Sequence, residues 1–160
     1  MRTPASIAGH PIHPMVVPIA IGGLVLSFVF DIVCMATGKV DPWATVAYYT
    51  MIGGIAGALV AAVFGFIDLL SLPAGPTKKV GFAHMGINLA VVVLFIFNAG
   101  MRNADPSPGG TPFVLSIIGI ALLAVSGWLG GKMVFEAGVG VSGGDVPAAS
   151  QPSAKRRVEA

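Results

Sequence analysis

Three histidines lie beside or within apolar segments of this chain, and histidine can both bind a metal and move a proton. His10 and His13 belong to the run GHPIHP at residues 9–14. Each precedes a proline, which favours extended or polyproline II backbone at the residue before it. Since polyproline II has about three residues per turn, we expect both imidazoles on one side of this run. There they could ligate a metal ion or haem iron. The alternative is that they cap the first apolar segment among lipid headgroups.

His84 lies inside the third apolar segment, about one turn from its start. Ionisable side chains in membrane helices are costly and usually face a bundle interior or a cavity. Asn88 is four residues further on, hence on the same helix face, and could fix the imidazole tautomer with one hydrogen bond. We expect His84 to bind a ligand or handle protons. The alternative is a hydrogen bond that holds two helices together.

Asp68 closes the second apolar segment. A carboxylate at this depth needs a polar partner, and we expect His84, His13 or a loop lysine to provide it. A His–Asp pair would orient a metal-binding imidazole or relay a proton. The alternative is an exposed aspartate at the membrane interface.

Two further acidic residues are given simpler interpretations. Glu136 lies four residues after Lys132, a spacing that predicts an ordinary ion pair on one helix face. Asp31 and Cys34 lie near the far end of the first segment, away from the histidines, and we assign them no role.

Composition identifies the class of protein that must position these residues. The chain is 55% hydrophobic and only 10% charged, with a mean hydropathy of +0.87, whereas soluble proteins are about 25% charged. Four apolar segments, at residues 15–36, 44–70, 80–100 and 112–135, are about as long as a membrane span requires. The connections are short and rich in proline and glycine, which makes neighbouring helices antiparallel. The sequence therefore predicts an all-α, integral-membrane, antiparallel four-helix bundle with a disordered C-terminal tail.

This topology predicts the domain organisation and the orientation. Residues 1–13 form a cytoplasmic N-terminal segment with the His-Pro motif, residues 14–137 the transmembrane domain, and residues 138–160 the tail. The histidines and Asp68 all fall at the membrane face that holds both termini. Lys39 and Arg102 are expected at the other face. The basic residues expected at the histidine face are Arg2, Lys78, Lys79, Lys132, Lys155, Arg156 and Arg157. Because they outnumber those at the other face, the positive-inside rule predicts that both termini are on the cytoplasmic side of a bacterial inner membrane.

Small residues predict how the helices pack, since they let backbones approach closely in a bilayer. The expected packing positions are Gly23 and Ser27 in the first helix, Gly53, Gly57, Ala61 and Gly65 in the second, and Gly127 and Gly131 in the fourth.

The sequence has a weak internal similarity between VFGFI at residues 63–67 and VSGWL at residues 125–129, and a histidine opens both the first and the third helix. The two helical hairpins are therefore candidate parallel repeats.

Several classes of function are disfavoured by missing motifs. A single cysteine, Cys34, excludes an intramolecular disulfide and a cysteine-ligated iron–sulfur cluster, and the chain has no CxxCH motif for covalently bound haem. It also lacks a GxSxG nucleophile motif and a phosphate-binding loop. The basic tail is too short for a nucleic-acid footprint. We expect a non-enzymatic protein that contacts membrane lipid and binds no nucleic acid.

Several short motifs, taken in order, resemble a known bacterial family. They are GHPIHPM at residues 9–15, PIAIG at 18–22, GFID at 65–68, AHM at 83–85 and GWLGG at 127–131. The chain is similar over residues 7–141 to the four-helix membrane family called domain of unknown function 2231. The resemblance implies the fold and the membrane location, and it marks His10, His13, Asp68, His84 and Trp128 as motif positions. Some relatives are fused to Rieske-type iron–sulfur domains, which implies a link to membrane electron transfer.

Three functional hypotheses follow. The first is a redox-linked subunit that binds b-type haem through His84 and either His13 or His10 and that depends on a redox partner protein. The second is a module that binds or transports a divalent metal or protons, with His10, His13 and His84 as metal ligands. For either cofactor, the candidate binding residues are His10, His13, Asp68, His84 and Asn88. The third is a structural or assembly protein without a cofactor. The sequence leaves the oligomeric state open.

Overall fold

Four long helices make up most of the chain in the computed structural model, which describes residues 3–103 and 105–141. They are α1 (Ile12–Thr37), α2 (Trp43–Ser71), α3 (Pro76–Met101) and α4 (Thr111–Phe135). Each is long and apolar enough to cross a membrane; 26 residues of α1 span about 39 Å, against a hydrocarbon core of about 30 Å. The four predicted segments are confirmed, with helix ends that differ from them by at most four residues. Most of the predicted tail, residues 142–160, lies outside the described residues.

A short hairpin precedes α1 and corrects the predicted backbone of the His-Pro run. Strands β1 (Ser6–Ile7) and β2 (His10–Pro11) pair antiparallel. Their turn has positive φ at Ala8 and Gly9, 49° and 80°, as tight hairpin turns require. The chain becomes helical at Ile12, so His10 lies in a strand and His13 in the first helical turn. The expectation that His10 and His13 lie on one side of a polyproline II segment is therefore wrong. Pro14 does not prevent the helix from starting at Ile12, because proline is well accommodated in the first turn of a helix.

Close backbone contact joins α1 to α2. A Cβ atom at Gly23 would lie 2.6 Å from the Cα of Gly54, and one at Gly57 would lie 3.0 Å from the backbone nitrogen of Ala20. Gly65, further along α2, lies against His13 at the start of α1. Residue numbers thus rise along α1 as they fall along the facing stretch of α2. Gly54 takes the packing position predicted for Gly53, which has no such neighbour within 4 Å.

The α3–α4 contact uses different glycines from those predicted. A Cβ atom added at Gly119 would lie 2.6 Å from the ring of Phe95, and one added at Gly130 would lie 3.2 Å from the ring of His84. Gly127 meets nothing within 4 Å, and Gly131 meets only Phe135 of its own helix. The predicted Gly127–Gly131 stripe is therefore wrong. Small residues occur on more than one face of α4, and only the bulky neighbours on α3 distinguish the packed face.

An apolar cluster fills the centre of the bundle, with polar side chains above and below it. The cluster comprises Leu24, Met51, Ile55, Val91, Phe95 and Ala99. His13 and His84 lie towards one end of the helices, and Asp31 and Arg102 towards the other. His13 and Asp31 are 18 residues apart on α1, about 27 Å along the helix axis. The two polar layers are thus separated by roughly the thickness of a bilayer core.

Candidate paired-histidine site

His13 is held by a hydrogen bond to the neighbouring helix. Its Nδ1 lies 2.8 Å from the carbonyl oxygen of Ala61 on α2. Because a carbonyl oxygen only accepts, Nδ1 carries the proton in this geometry. In the neutral ring, Nε2 then presents its lone pair and can act as a ligand or a base.

His84 makes the equivalent bond from α3 to α4. Its Nδ1 donates to the carbonyl oxygen of Ser126 at 2.9 Å, and the Ser126 hydroxyl lies at the same distance. Asn88 Nδ2 donates to His84 Nε2 at 3.0 Å and to the carbonyl oxygen of His84 at 3.0 Å. The predicted hydrogen bond between Asn88 and the imidazole is therefore present. The hydrogen bond from His84 to another helix, which is the alternative interpretation of this residue, is present as well.

The two imidazoles face each other across the bundle. Their ring centroids are 6.5 Å apart, and the ring planes are nearly perpendicular at 84°. Both rings are half-buried. The fold therefore brings together His13 and His84, two of the three predicted histidines.

Glycines on α2 and α4 make room for both rings. A Cβ atom at Gly65 would lie 2.7 Å from Nδ1 of His13, and one at Gly130 would lie 3.2 Å from Cε1 of His84. Any side chain at Gly65 would push the His13 ring away from the carbonyl oxygen of Ala61. These glycines are therefore part of the site, although they make no polar contact.

Asp68 has a different partner from those expected. Its Oδ1 accepts a hydrogen bond from the backbone N–H of Ala5 at 2.9 Å, and neither histidine nor a loop lysine contacts it among the described residues. The expected His–Asp pair is therefore wrong. The carboxylate instead ties the N-terminal hairpin to the end of α2, because the N–H of Ala5 would otherwise be buried without an acceptor.

His10 stands apart from the histidine pair. It is exposed, and its Nδ1 contacts the carbonyl oxygen of Ala8 at 3.1 Å within its own hairpin. Within residues 3–103 and 105–141, no group of three or more His, Cys, Asp or Glu side chains could hold a metal ion. The haem and divalent-metal assignments stay predictions.

A second polar layer, to which the sequence assigned no function, lies at the opposite end of the bundle. Arg102 donates to both carboxylate oxygens of Asp31 at 2.6 and 2.7 Å, and both side chains are fully buried. Arg102 Nε also donates to Asn98 Oδ1 at 2.7 Å. Asn98 Nδ2 in turn donates to the Ser116 hydroxyl at 2.8 Å. This network joins α1, α3 and α4.

Sequence reasoning missed this pair because it treated Arg102 as a loop charge and Asp31 as isolated. One signal was available: two opposite charges at the same end of two helices in an otherwise apolar bundle. The predicted ion pair between Lys132 and Glu136 is present, with a separation of 3.8 Å. It is exposed and contributes little to stability.

Comparisons with known proteins place the chain in a family. The model of DUF2231, described as a predicted membrane protein, matches residues 9–143. No curated protein and no solved structure matches the chain. The matched range includes the histidine pair, the glycines that accommodate it and the buried Asp31–Arg102 pair. The chain therefore belongs to the DUF2231 family of predicted membrane proteins.

Proposed function

We propose that this protein is a redox-linked membrane subunit that binds b-type haem through His13 and His84. The observation that carries the proposal is the matched geometry of the two imidazoles. Each donates its Nδ1 proton to a backbone carbonyl on the next helix, and the rings face each other at 6.5 Å.

This hydrogen bonding is the arrangement that metal-binding histidines use. A histidine ligand usually donates its second ring N–H to a carbonyl or carboxylate, which orients the ring and makes the ligating nitrogen more basic. In both residues the proton is on Nδ1, so Nε2 would be the ligating nitrogen. At His84 the iron would have to replace the hydrogen bond that Nε2 accepts from Asn88. Two imidazoles that bind one metal from opposite sides at about 2.0–2.1 Å have centroids roughly 6 Å apart, close to the observed separation.

The number of nearby ligands favours haem over a bare divalent ion. A structural zinc site needs four protein ligands and a catalytic one needs three, whereas haem iron needs only two axial ligands, the porphyrin supplying the rest. His13 and His84 are two such groups, and Asp68 is engaged by the N-terminal hairpin. Bound haem would supply one-electron chemistry, and the protein would hold and orient it.

We further propose that the histidine face is cytoplasmic and that the protein lies in a bacterial inner membrane. At the far face Arg102 is buried against Asp31, which leaves Lys39 as the exposed basic residue there within the described residues. At the histidine face lie Lys78, Lys79 and Lys132. This asymmetry supports cytoplasmic termini, and a redox partner protein would then approach from the cytoplasm.

A visible spectrum tests the haem proposal. Protein purified in detergent from haem-replete cells is expected to show a reduced-minus-oxidised spectrum of b-type haem. His13→Ala and His84→Ala should each change that spectrum, because each removes an axial ligand. His10→Ala is the matched control and should leave it unchanged, since His10 is exposed and contacts only its own hairpin. A colourless wild type, or unchanged spectra in both ligand variants, would refute the proposal.

A structural role without a cofactor is the second candidate, favoured by one specific observation. The Nδ1 bonds of His13 and His84 tie α1 to α2 and α3 to α4, which fixes helix register whether or not a ligand binds. In this case both alanine variants lower the resistance to unfolding by SDS, and the wild type is colourless. Haem binding by a stably folded wild type would exclude this candidate.

A further inference from the structure

A pocket lies where the start of α3 meets the end of α4, at the histidine face of the bundle. Its volume is about 270 Å³. Its polar lining comes from Thr77, Lys132 and Glu136, and its apolar lining includes Val80, Met133 and Ala137. None of these residues takes part in the paired-histidine site, so the pocket is a separate feature of the fold.

The pocket lies at the depth of the lipid headgroups. The 26 residues of α3 span about 39 Å, whereas the hydrocarbon core is about 30 Å thick. Both ends of an upright, centred helix therefore extend into the headgroup region. Thr77 is the second residue of α3, and Lys132 lies three residues before the end of α4. The polar side chains of the pocket are thus surrounded by headgroups and not by acyl chains.

Lys132 and Glu136 give the pocket one positive and one negative charge. Lys132 Nζ lies 3.8 Å from Glu136 Oε2, and the two side chains are 49% and 67% exposed. This separation is longer than that of a charge-assisted hydrogen bond, which is about 2.7–2.9 Å. The ammonium and the carboxylate therefore keep their capacity to bond to other groups. Because an exposed ion pair contributes little to stability, a ligand that bridges the two charges sacrifices little.

Trp128 lies on the same face of α4 as Lys132 and one turn deeper in the membrane, since the two residues are four apart. It is 79% exposed. Tryptophan is typical of the level where headgroups meet acyl chains, because its ring is amphipathic. The upper acyl chain of a lipid whose headgroup occupied the pocket would therefore lie against this ring.

We propose that the pocket binds the headgroup of phosphatidylethanolamine. This headgroup carries a phosphate and a primary ammonium joined by a short ethylene link, so it matches a pocket with one charge of each sign. The Lys132 ammonium and the Thr77 hydroxyl donate to the phosphate, and the Glu136 carboxylate accepts from the lipid ammonium. The proposal does not depend on haem binding.

Other common headgroups fit the same charges less well. Phosphatidylglycerol has a phosphate without an ammonium, which leaves Glu136 unpaired beside a negative charge. Phosphatidylcholine has a quaternary ammonium, which has no N–H to donate to Glu136. The carboxylate is therefore the group that selects phosphatidylethanolamine, whereas Lys132 holds the phosphate that all three lipids share.

Competition among lipids for the delipidated protein tests the proposal. Wild-type protein in detergent is mixed with equal amounts of phosphatidylethanolamine, phosphatidylcholine and phosphatidylglycerol, and the bound lipids are identified by native mass spectrometry. Phosphatidylethanolamine is expected to bind about fivefold more tightly than phosphatidylcholine, as one additional charge-assisted hydrogen bond would produce.

Three alanine variants assign the contacts, and all three replace exposed side chains, so they are expected to fold. Glu136→Ala should lose the preference for phosphatidylethanolamine over phosphatidylcholine. Lys132→Ala should weaken the binding of all three lipids, because each has a phosphate. Lys79→Ala is the matched control. Lys79 is an exposed basic residue at the same face that does not line the pocket, so its loss should leave the preference unchanged.

The wild type alone can overturn the proposal. Equal binding of phosphatidylethanolamine and phosphatidylcholine, or preferred binding of phosphatidylglycerol, would show that Glu136 does not select the headgroup. A wild-type preference that survives in Glu136→Ala would place the lipid elsewhere on the protein. Equal weakening by Lys79→Ala and Lys132→Ala would show general attraction to a basic surface and would overturn the proposal as well.

Discussion

At the scale of single residues, each imidazole is positioned by an Nδ1 hydrogen bond to the neighbouring helix and by a glycine that makes room for the ring. His84 also accepts a hydrogen bond from Asn88. The spacing of His84 and Asn88 predicted their contact, because residues four apart share a helix face. The carbonyl acceptors at Ala61 and Ser126 were not predictable, since every residue has a carbonyl and only the packing of two helices selects one. The partner of Asp68 was mispredicted for a similar reason. Every residue except proline has a backbone N–H, so the sequence does not indicate that the N–H of Ala5 is the one that donates to Asp68.

The room at Gly65 gives a direct test at this scale. Gly65→Ala should displace the His13 ring and break its bond to Ala61, because the new Cβ would lie 2.7 Å from Nδ1. Overpacking of this kind costs about 1–3 kcal/mol, so the SDS concentration at the unfolding midpoint should fall. Gly127→Ala is the matched control, since nothing lies within 4 Å of that position. Equal midpoints for the two variants would contradict the packing described here.

At the scale of elements, the buried ion pair joins two helices that are not neighbours in sequence. Asp31 lies on α1, and Arg102 follows the last residue of α3. The guanidinium N–H groups of Arg102 donate to Asp31 and Asn98. These hydrogen bonds satisfy polar groups that lipid could not solvate. The pair therefore holds α1 against the C-terminal end of α3, away from the histidines.

Removing one partner of this pair should be far more damaging than removing both. Asp31→Leu leaves a buried guanidinium without its counter-charge, and such changes cost about 3–5 kcal/mol. The double variant Asp31→Leu with Arg102→Met leaves no unpaired charge and should recover most of that loss. Unfolding in SDS would measure the three free energies relative to wild type. Additive effects of Asp31→Leu and Arg102→Met would show that the two side chains do not interact.

A carboxylate of α2 anchors the residues that lead into the N-terminal hairpin. Asp68→Ala removes the acceptor for the buried N–H of Ala5, and an unsatisfied buried donor costs about 1–3 kcal/mol. Amide hydrogen exchange at residues 5–12 should accelerate in this variant, while exchange in the centre of α3 stays unchanged. Asp68→Asn keeps a side-chain oxygen and is expected to stay close to wild type. Unchanged exchange in Asp68→Ala would show that the hairpin is anchored by other contacts.

At the scale of the whole molecule, the exterior is apolar because lipid, not water, surrounds it. Large side chains such as Trp128 and Phe135 are 79% and 88% exposed, which would be costly in water but favourable in a bilayer. The same exterior explains why hydropathy located all four helices to within a few residues.

The orientation in the membrane can be tested with a reporter joined to the C-terminus. A fluorescent protein that folds only in the cytoplasm should be bright there, and alkaline phosphatase at the same position should be inactive. The expectation follows from Lys78, Lys79 and Lys132 at the histidine face. Because Arg102 is buried with Asp31, the double variant Asp31→Leu with Arg102→Met, which leaves no unpaired charge, should not change the result. An active phosphatase fusion would reverse the proposed orientation.

The sequence by itself determined the number, length and apolar character of the helices, because hydropathy over about 20 residues measures the cost of leaving water. It also identified His84, since ionisable groups in a membrane segment are rare and expensive, and it identified His13 through the GHPIHP run without distinguishing it from His10. Only the tertiary structure decided which groups meet: Asp31 with Arg102, each imidazole with a carbonyl, and Gly130 rather than Gly127 with a ring. Those choices depend on the rotation and depth of each helix against its neighbours, which are set by side-chain packing between segments that are distant in sequence.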